Sequence, residues 1–534
     1  LRFRFLEALR PYLLRALSNL GKRFLNQPLI MPEEPRQMAE LADALYDLAA
    51  TGYAMVAVHA IQHQDSIREL NPARLVCEAI HHGLSFCGRN ILQAMQLYQP
   101  VELHLWLTLH QLYALAERQQ LDRLPVTDSL SGSGTIASAY LQALMLGCAK
   151  PNQLRQADLA GIYRGLQDWS EQVEVVASAC ADGLFMVDLN SDKPPVYSAM
   201  NAEPPGEQHR YIRTGALVEH LRNLREQCQR QGKPGIQFDE NSGIPLNILD
   251  HLIRSYGIMS QRNYARVSSD SRIWISIGLS STHYHLAGGR TFAQLLYGDD
   301  YLRSGEQHQQ HNPFIRADAE EAPEVENHIY EEAGIIVEEV GINLLEGLED
   351  DELPPEQRYP VHCVHIVNAS PAGYGLEWPA NMTGDLKTGN IISLRENDSD
   401  DWAIAALRWV NQPSSDKTVV GVELLSPGAK PYGALIHHSS NAQAQPRRVL
   451  LLPEIKLVGQ PHTLITPRAG FKEGQKVTLS RHGEEFLVQL QRQIAVTGSF
   501  AQFDFRYIKQ LEEVLAEDLS GPLDSAYDSV WSNI

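Results

Sequence analysis

Two short groups of polar residues have the chemistry to bind an anion, although they lie far apart in the chain. The first spans residues 261–266 (QRNYAR) and places Arg262 and Arg266 four positions apart. A guanidinium offers a planar fork of donors that fits a phosphate or the O6/N7 edge of guanine, and it can also stack on a purine. Two such groups on one loop can therefore converge on a single anion.

The second group spans residues 368–373 (NASPAG) and contains Asn368, Ser370 and Gly373. The asparagine and the serine supply short hydrogen-bond donors and acceptors, and the glycine allows a bend or a close approach that a Cβ atom would block. Each group alone has an ordinary turn composition. Their significance depends on the elements that would bring them together.

The pattern of apolar residues predicts those elements. Helical spacing dominates the first 175 residues, short strands and two helices follow, and from about residue 258 the chain has the strand spacing of two small antiparallel barrels. We therefore predict a multidomain α+β protein with a helical N-terminal half. The predicted domains are a helical domain (1–175), a mixed α/β linker domain (176–257), a first barrel (258–436), a second barrel (446–508), and a C-terminal helix and tail (509–534).

The charge of the chain is concentrated in one segment. With 45 Lys and Arg against 65 Asp and Glu, the net charge is −20, and 15 of the acidic residues fall within residues 318–356, which contain no Lys or Arg. Such a run repels itself and is typical of a solvated insertion, which we place at about residues 287–358. The acidic balance argues against a protein that coats DNA or RNA.

In this order, each beside a barrel strand, the two groups resemble the PilZ domain family. In that family an Arg-x3-Arg loop leads into the first strand, and a D/N-x-S-x-x-G motif follows on the second strand and its turn. Residues 389–394, 405–409 and 421–425 also resemble the strands that follow in the family, including its tryptophan and its Gly-Val step. One departure is the spacing, because Arg266 and Asn368 are 102 positions apart here. The predicted insertion accounts for it, since lengthening a hairpin connection costs little closure entropy.

The resemblance implies a receptor for cyclic di-GMP, a ligand and not a cofactor, with no catalytic residues. Arg262 and Arg266 would bind guanine edges and phosphates, Asn368 and Ser370 would hydrogen-bond to base or phosphate, and Gly373 would admit the ligand. The family also implies that Gln261 influences whether one or two ligand molecules fit. The alternative is a degenerate PilZ scaffold protein that mediates protein contacts without binding nucleotide.

Other chemistry is predicted to be absent. His283 and His285 are expected on one face of a strand without carboxylate or cysteine partners at ligand spacing, so we predict no metal site there. The pairs His81-His82 and His437-His438 are expected at the surface. An enzyme in the helical half would need a pocket with perturbed carboxylates or histidines, and the sequence points to none.

The sequence also predicts location and partners. None of the six cysteines forms a CxxC pair, no apolar run is long enough to cross a membrane, and no signal peptide follows the arginine-rich start, so we predict a cytoplasmic protein. Residues 2–24 are amphipathic and basic, and either pack on the next helix or lie on a membrane surface. Because a receptor needs an output surface, we predict that the helical half contacts a partner protein.

Overall fold

The fold is described here from a computed structural model. It describes residues 1–25, 27, 31–63, 71–130, 132–180, 182–201, 204–239, 242–260, 265–298, 354–379, 386–396, 401–414, 417–437, 446–454 and 461–508. Most of the predicted acidic insertion and the predicted C-terminal helix and tail therefore lie outside the described residues.

The first part of the chain is helical, as predicted. Its six helices are α1 (Arg2–Phe24), α2 (Glu33–Gln62), α3 (Pro72–Gln96), α4 (Leu105–Arg118), α5 (Ile136–Cys148) and α6 (Gln156–Trp169). Local signals set their ends. Asn71 caps α3 by accepting hydrogen bonds from two backbone N–H groups of the first turn, and Thr135 begins α5 with a reciprocal capping box to Ser138. A short strand pair, β1 (Pro125–Val126) and β2 (Gly134–Thr135), precedes α5.

Among the described helices, α2 alone has the length and apolar composition of a membrane span. One side of it packs into the protein, where Ala42, Ala49, Tyr53 and Val56 are buried. A core helix of a soluble protein passes the same test of composition, so this helix is weak evidence for a membrane segment.

A small mixed α/β region follows, and it shares the core of the helices. Its elements are β3 (Glu174–Val176), β4 (Gly183–Asp188), β5 (Val196–Tyr197), β6 (His209–Arg213), α7 (Gly215–Arg230), β7 (Gly235–Asp239), β8 (Ser242–Pro245) and α8 (Leu246–Gly257). Phe185, Ile212 and Leu249 belong to the same apolar cluster as Leu17 and Tyr140 of the helices. One hydrophobic core therefore continues across the domain boundary that the sequence predicts at residue 175.

The first barrel consists of six antiparallel strands in the order β10-β13-β14-β15-β12-β11, closed by pairing of β10 with β11. The strands are β10 (Arg272–Ile277), β11 (His362–Ser370), β12 (Gly373–Trp378), β13 (Ile391–Glu396), β14 (Ala403–Ser414) and β15 (Lys417–Ser426). A two-residue strand, β9 (Val267–Ser268), adds to the edge of β11. Sequence patterning missed β9 and β12, because neither shows an apolar alternation long enough to recognise.

The second barrel closes in the order β16-β17-β18-β21-β20-β19. Its strands are β16 (Lys430–Ile436), β17 (Arg447–Leu452), β18 (Thr463–Pro467), β19 (Lys476–Arg481), β20 (Glu484–Val496) and β21 (Phe500–Tyr507). The sequence predicts that residues 430–436 belong to the first barrel, but β16 pairs with β17 and β19 and so belongs to the second. The two barrels that the sequence predicts are both present, and the other predicted domain limits remain predictions.

The segment after β10 is helical, which corrects one prediction. His283 and His285 lie in α9 (Leu279–Leu286), not on a strand, and each places Nε2 3.1 Å from a backbone carbonyl, of Tyr432 and Tyr359 respectively. Burial lowers the pKa of His283 to about 3, so this imidazole is neutral. The next helix, α10 (Phe292–Tyr297), contacts the second barrel through a hydrogen bond from the backbone N–H of His482 to the carbonyl of Leu295.

Candidate functional site

A row of four residues crosses the outside of the first barrel. Strand pairing places Asn368 beside Gly375, Gly375 beside Gly421, and Gly421 beside Trp409, on β11, β12, β15 and β14 in turn. The neighbouring pair Leu376 and Val420 belongs to the barrel core. Because successive side chains of a strand point to opposite faces, the four residues of the row face outward.

The two glycines make room for the side chains on either side of them. A Cβ atom at Gly375 would lie 2.8 Å from Oδ1 of Asn368, and one at Gly421 would lie 1.9 Å from Nε1 of Trp409. The amide thus lies over β12 and the indole lies over β15. The absence of two Cβ atoms creates a shallow platform with a hydrogen-bonding group at one end and an aromatic ring at the other.

Arg266 completes this group. Its guanidinium carbon is 5.5 Å from the centre of the Trp409 ring, a cation–π distance. The residue directly precedes β9, where Val267 pairs with Ala369 of β11, next to Asn368. The structure therefore brings Arg266 to the same face as Asn368 despite the 102 positions between them. Arg262 and Gln261, the other predicted residues of this loop, lie outside the described residues.

Asn368 carries an unsatisfied acceptor. Its Oδ1 atom is buried, and no donor among the described residues lies within hydrogen-bond distance of it. A buried polar atom without a partner costs about 1–3 kcal/mol, so such atoms are rare in native proteins. An external N–H group would remove this cost, so this oxygen is a candidate acceptor for a ligand.

Ser370 and Gly373 have clear structural roles at the turn from β11 to β12. The hydroxyl of Ser370 donates to the carbonyl of Gly373 at 3.1 Å, which leaves its oxygen as an acceptor toward a ligand. Gly373 has φ +152°, and a Cβ atom there would lie 2.0 Å from the carbonyl oxygen of Val422 on β15. A glycine is therefore needed here because β12 approaches the neighbouring strand β15 too closely for a side chain.

The charge beside the site is balanced. Glu423 of β15 pairs in register with Gly373, and it forms an ion pair with the guanidinium of Arg408. Without that arginine, Glu423 would place an uncompensated negative charge beside this face of the barrel. Arg408 therefore neutralises a nearby acid, whereas Arg266 stacks on the indole.

Sequence reasoning did not assign Trp409, Gly375 or Gly421 to the site. The tryptophan and the Gly421-Val step were noted only as features of the strand pattern. Strand register turns them into neighbours of Asn368, and register is not visible in a single sequence. Trp378, a second aromatic residue near the motif, is only 3% exposed and belongs to the barrel core.

The His81-His82 pair is buried, contrary to the prediction that it lies at the surface. Both residues are 3% exposed, and their ring nitrogens form a cluster with a carboxylate oxygen of Asp128. Arg10 donates to Asp128 Oδ2 at 2.6 Å and lies 3.3 Å from His82 Nδ1, so a guanidinium already fills the place of a cation. Burial, and then Arg10, lower the pKa of His82 to about 3. Of the other pair, His437 is exposed and His438 lies outside the described residues.

Comparison with known proteins covers the whole chain. Residues 1–179, 184–431 and 432–508 match three families, described as the N-terminal domain, the middle PilZ domain and the C-terminal β-barrel domain of the cyclic-di-GMP receptor FimW. The Cyclic-di-GMP receptor FimW of Pseudomonas aeruginosa PAO1 is 31% identical, in an alignment that covers 100% of this chain and 89% of that protein. No solved structure matches the chain. With the platform on the first barrel and these matches together, the chain belongs to the FimW family, and its first barrel is a PilZ domain.

Proposed function

We propose that the outer face of the PilZ barrel binds cyclic di-GMP. The observation that carries this proposal is the buried Oδ1 of Asn368, which has no partner among the described residues and lies on the same glycine platform as the Arg266–Trp409 pair. Guanine offers N–H donors to such an acceptor and a flat ring that stacks on an indole or beneath a guanidinium. The phosphodiesters of the ligand supply the charge that an arginine binds. The FimW relative, named as a receptor for this ligand, supports the same assignment.

Each predicted site residue receives a role in this proposal. Arg266 and Arg262 bind guanine edges or phosphates, and Gln261 influences whether one or two ligand molecules fit, as the PilZ resemblance implies. Asn368 accepts from a guanine N–H group. Ser370 contributes an oxygen acceptor, and Gly373 lets β12 approach β15 closely enough to form the platform.

Calorimetric titration of the full chain tests this function. We expect saturable binding of cyclic di-GMP in the micromolar range or tighter at modest salt. Cyclic di-AMP is the matched control, because adenine lacks the N1–H donor and the O6 acceptor of guanine, and it should bind at least ten-fold more weakly. Absence of heat with tens of micromolar cyclic di-GMP would favour the scaffold alternative.

Asn368→Ala is expected to weaken cyclic di-GMP binding about three- to ten-fold, the value of one neutral hydrogen bond. The stability of the fold should be unchanged, because Oδ1 accepts no hydrogen bond from a described donor. Asn368→Gln is the conservative control, since its amide oxygen retains a neutral acceptor. Equal binding by the alanine variant and the parent chain would remove Asn368 from the site.

We further propose that the ligand changes how the neighbouring domains pack. Strand β14 connects the site to the helical part, because the backbone N–H of Gln412, three positions after Trp409, donates to the carbonyl of Tyr98 at 2.8 Å. The Tyr98 side chain packs into the core of the PilZ barrel. A change in the position of β14 at the site therefore reaches the helices directly.

Arg155 is a second contact between the domains. Its Nε donates to the carbonyl of Thr388 in the PilZ barrel at 3.0 Å, and its Nη2 donates to the hydroxyl of Ser499 in the second barrel at 3.0 Å. Asn390 also donates to Ser499, at 3.1 Å. One side chain from the start of α6 thus joins three parts of the chain.

Ser260, which precedes the segment with the two arginines, is held by two side chains from earlier in the chain. Ser260 accepts a hydrogen bond from Nζ of Lys150, and its backbone N–H donates to the hydroxyl of Tyr197 at 3.4 Å. Partial burial, and then the charge of Arg254, lower the pKa of Lys150. Ligand capture by the arginines would therefore pull on a point that is fixed to the helical part.

Lys150→Met is expected to preserve cyclic di-GMP binding but to reduce the change in domain packing that follows it. The dissociation constant for cyclic di-GMP should change less than three-fold, because Lys150 does not contact the platform. The ligand-induced change in the small-angle X-ray scattering profile should fall below half of the wild-type change. Lys233→Met, an exposed lysine of the mixed α/β region, is the control. A full scattering change in Lys150→Met would contradict this coupling.

We propose that the protein is a cytoplasmic receptor that acts by binding cyclic di-GMP and has no catalytic role. Its output passes from the PilZ barrel through Tyr98, Arg155 and Lys150 to the helical half, which contacts a partner protein. The contacts of these three residues with other parts of the chain support this route.

A further inference from the structure

The first two helices present an unusual apolar surface. We define the outer face of α1 and α2 by Phe5, Leu9, Tyr12, Leu41, Leu48 and Met55, all of which are exposed. Tyr12 is 75% exposed and Leu48 is 68% exposed. Single exposed apolar residues are normal, but a group of large ones on two neighbouring helices marks an interaction surface.

The spacing shows that these residues form stripes. On α1, positions 5, 9 and 12 follow one another at helical intervals, and on α2, positions 41, 48 and 55 recur every two turns. The buried positions of α2, including Ala42, Ala49 and Val56, lie on its other side. The exposed apolar stripe of α2 is therefore distinct from the buried residues with which the helix packs into the core.

Charge complementarity identifies the occupant. Exposed cations lie along α1, at Arg2 and Arg4 and, in its C-terminal half, at Arg15 and Arg23. The N-terminal half of α2 carries the exposed carboxylates Glu40 and Asp47. We propose that the outer face binds the same face of a second copy of this chain. In a two-fold dimer, α1 of each copy would lie antiparallel on α2 of the other. The apolar stripes would then meet, and the basic C-terminal half of each α1 would face the acidic N-terminal half of the other copy's α2.

The same charges argue against the other occupants. An anionic lipid surface would attract α1 but would be repelled by the carboxylates on the adjoining half of α2. A partner of one charge sign would complement only one of the two helices. A second copy complements both.

This inference rests on one part of the proposed function, the helical half as a contact surface, and names the partner. It is separable from ligand binding, because self-association is measured without cyclic di-GMP. A monomeric chain that still binds cyclic di-GMP would end this inference and leave the proposed ligand intact.

Sedimentation equilibrium of the full chain tests the dimer. We expect the parent chain to be dimeric at micromolar concentration, and Leu48→Glu/Met55→Glu to raise the dimer dissociation constant at least 100-fold. Leu103→Glu is the matched control, because Leu103 is 80% exposed but lies outside the outer face of α1 and α2. A monomeric parent chain, or an unchanged dimer in the double variant, would overturn the proposal.

A pair of charge-reversal variants tests the same dimer if Leu48→Glu/Met55→Glu folds poorly. Arg15→Glu/Arg23→Glu and Glu40→Arg/Asp47→Arg should each weaken the dimer at least ten-fold, and an equimolar mixture of the two should form a heterodimer. Failure of the mixture to associate would overturn the antiparallel arrangement. Binding of a monomeric parent chain to phosphatidylglycerol vesicles would assign the face to lipid instead.

Discussion

Arg266→Ala is expected to lower the affinity for cyclic di-GMP at least ten-fold, and up to about 100-fold, without loss of the fold. A hydrogen bond to a charged group contributes about 1.5–3 kcal/mol, and the lost guanidinium also removes a stacking surface from Trp409. Arg266 is exposed, so its truncation should change the free energy of unfolding by less than about 0.5 kcal/mol. Calorimetric titration and chemical denaturation measure the two effects.

The barrel offers a matched control for that variant. Arg395 stacks on Trp402 with its guanidinium carbon 5.0 Å from the ring centre, which is the same kind of pair on a different part of the same barrel. Arg395→Ala should leave the dissociation constant for cyclic di-GMP unchanged within two-fold. We expect Arg262→Ala to resemble Arg266→Ala, and parent-like binding by both would show that the site lies elsewhere even if the ligand binds.

Gly373→Ala is expected to destabilise the PilZ barrel itself, by about 2–4 kcal/mol. The new Cβ atom would lie 2.0 Å from the backbone oxygen of Val422, and φ +152° is strained for any residue with a side chain. Because the obstacle is backbone, β12 or β15 must shift. Chemical denaturation of the full chain, followed by the fluorescence of the tryptophans, measures the loss.

Gly428→Ala is the control for this effect. Apart from Gly428 itself and its chain neighbours, no atom of the described residues lies within 4 Å of a Cβ atom at this position, which follows β15. Its free energy of unfolding should stay within about 0.5 kcal/mol of that of the parent chain. A stable Gly373→Ala chain that fails to bind cyclic di-GMP would show that Gly373 contacts the ligand and that its role in strand packing is minor.

The general architecture could be predicted from the sequence because long periodic segments carry their own signal. Helical spacing predicted the six N-terminal helices, and regular strand spacing predicted two barrels. The prediction that the first barrel extends to residue 436 was wrong, because only the pairing of residues 430–436 with β17 and β19 shows which barrel they join. His283 was misplaced because a short apolar segment fits a strand or a helix equally well.

The site could be predicted only in part for a similar reason. Arginine, asparagine and glycine at motif spacing are recognisable in a sequence, and Arg266 and Asn368 do lie on one face of the barrel. The platform depends on register: Gly375 and Gly421 matter because they pair with each other between Asn368 and Trp409. The unsatisfied oxygen of Asn368 is a property of three-dimensional packing, and a sequence holds no trace of it.

The most direct test of the account is the response of Trp409 to the ligand. The full chain can be labelled with 5-fluorotryptophan, and the ¹⁹F resonance of Trp409 can be assigned by its absence in Trp409→Phe. Cyclic di-GMP should shift this resonance saturably, while the resonance of the buried Trp378 moves little. Saturable binding with an unmoved Trp409 resonance would contradict a guanine site on the outer face of the PilZ barrel.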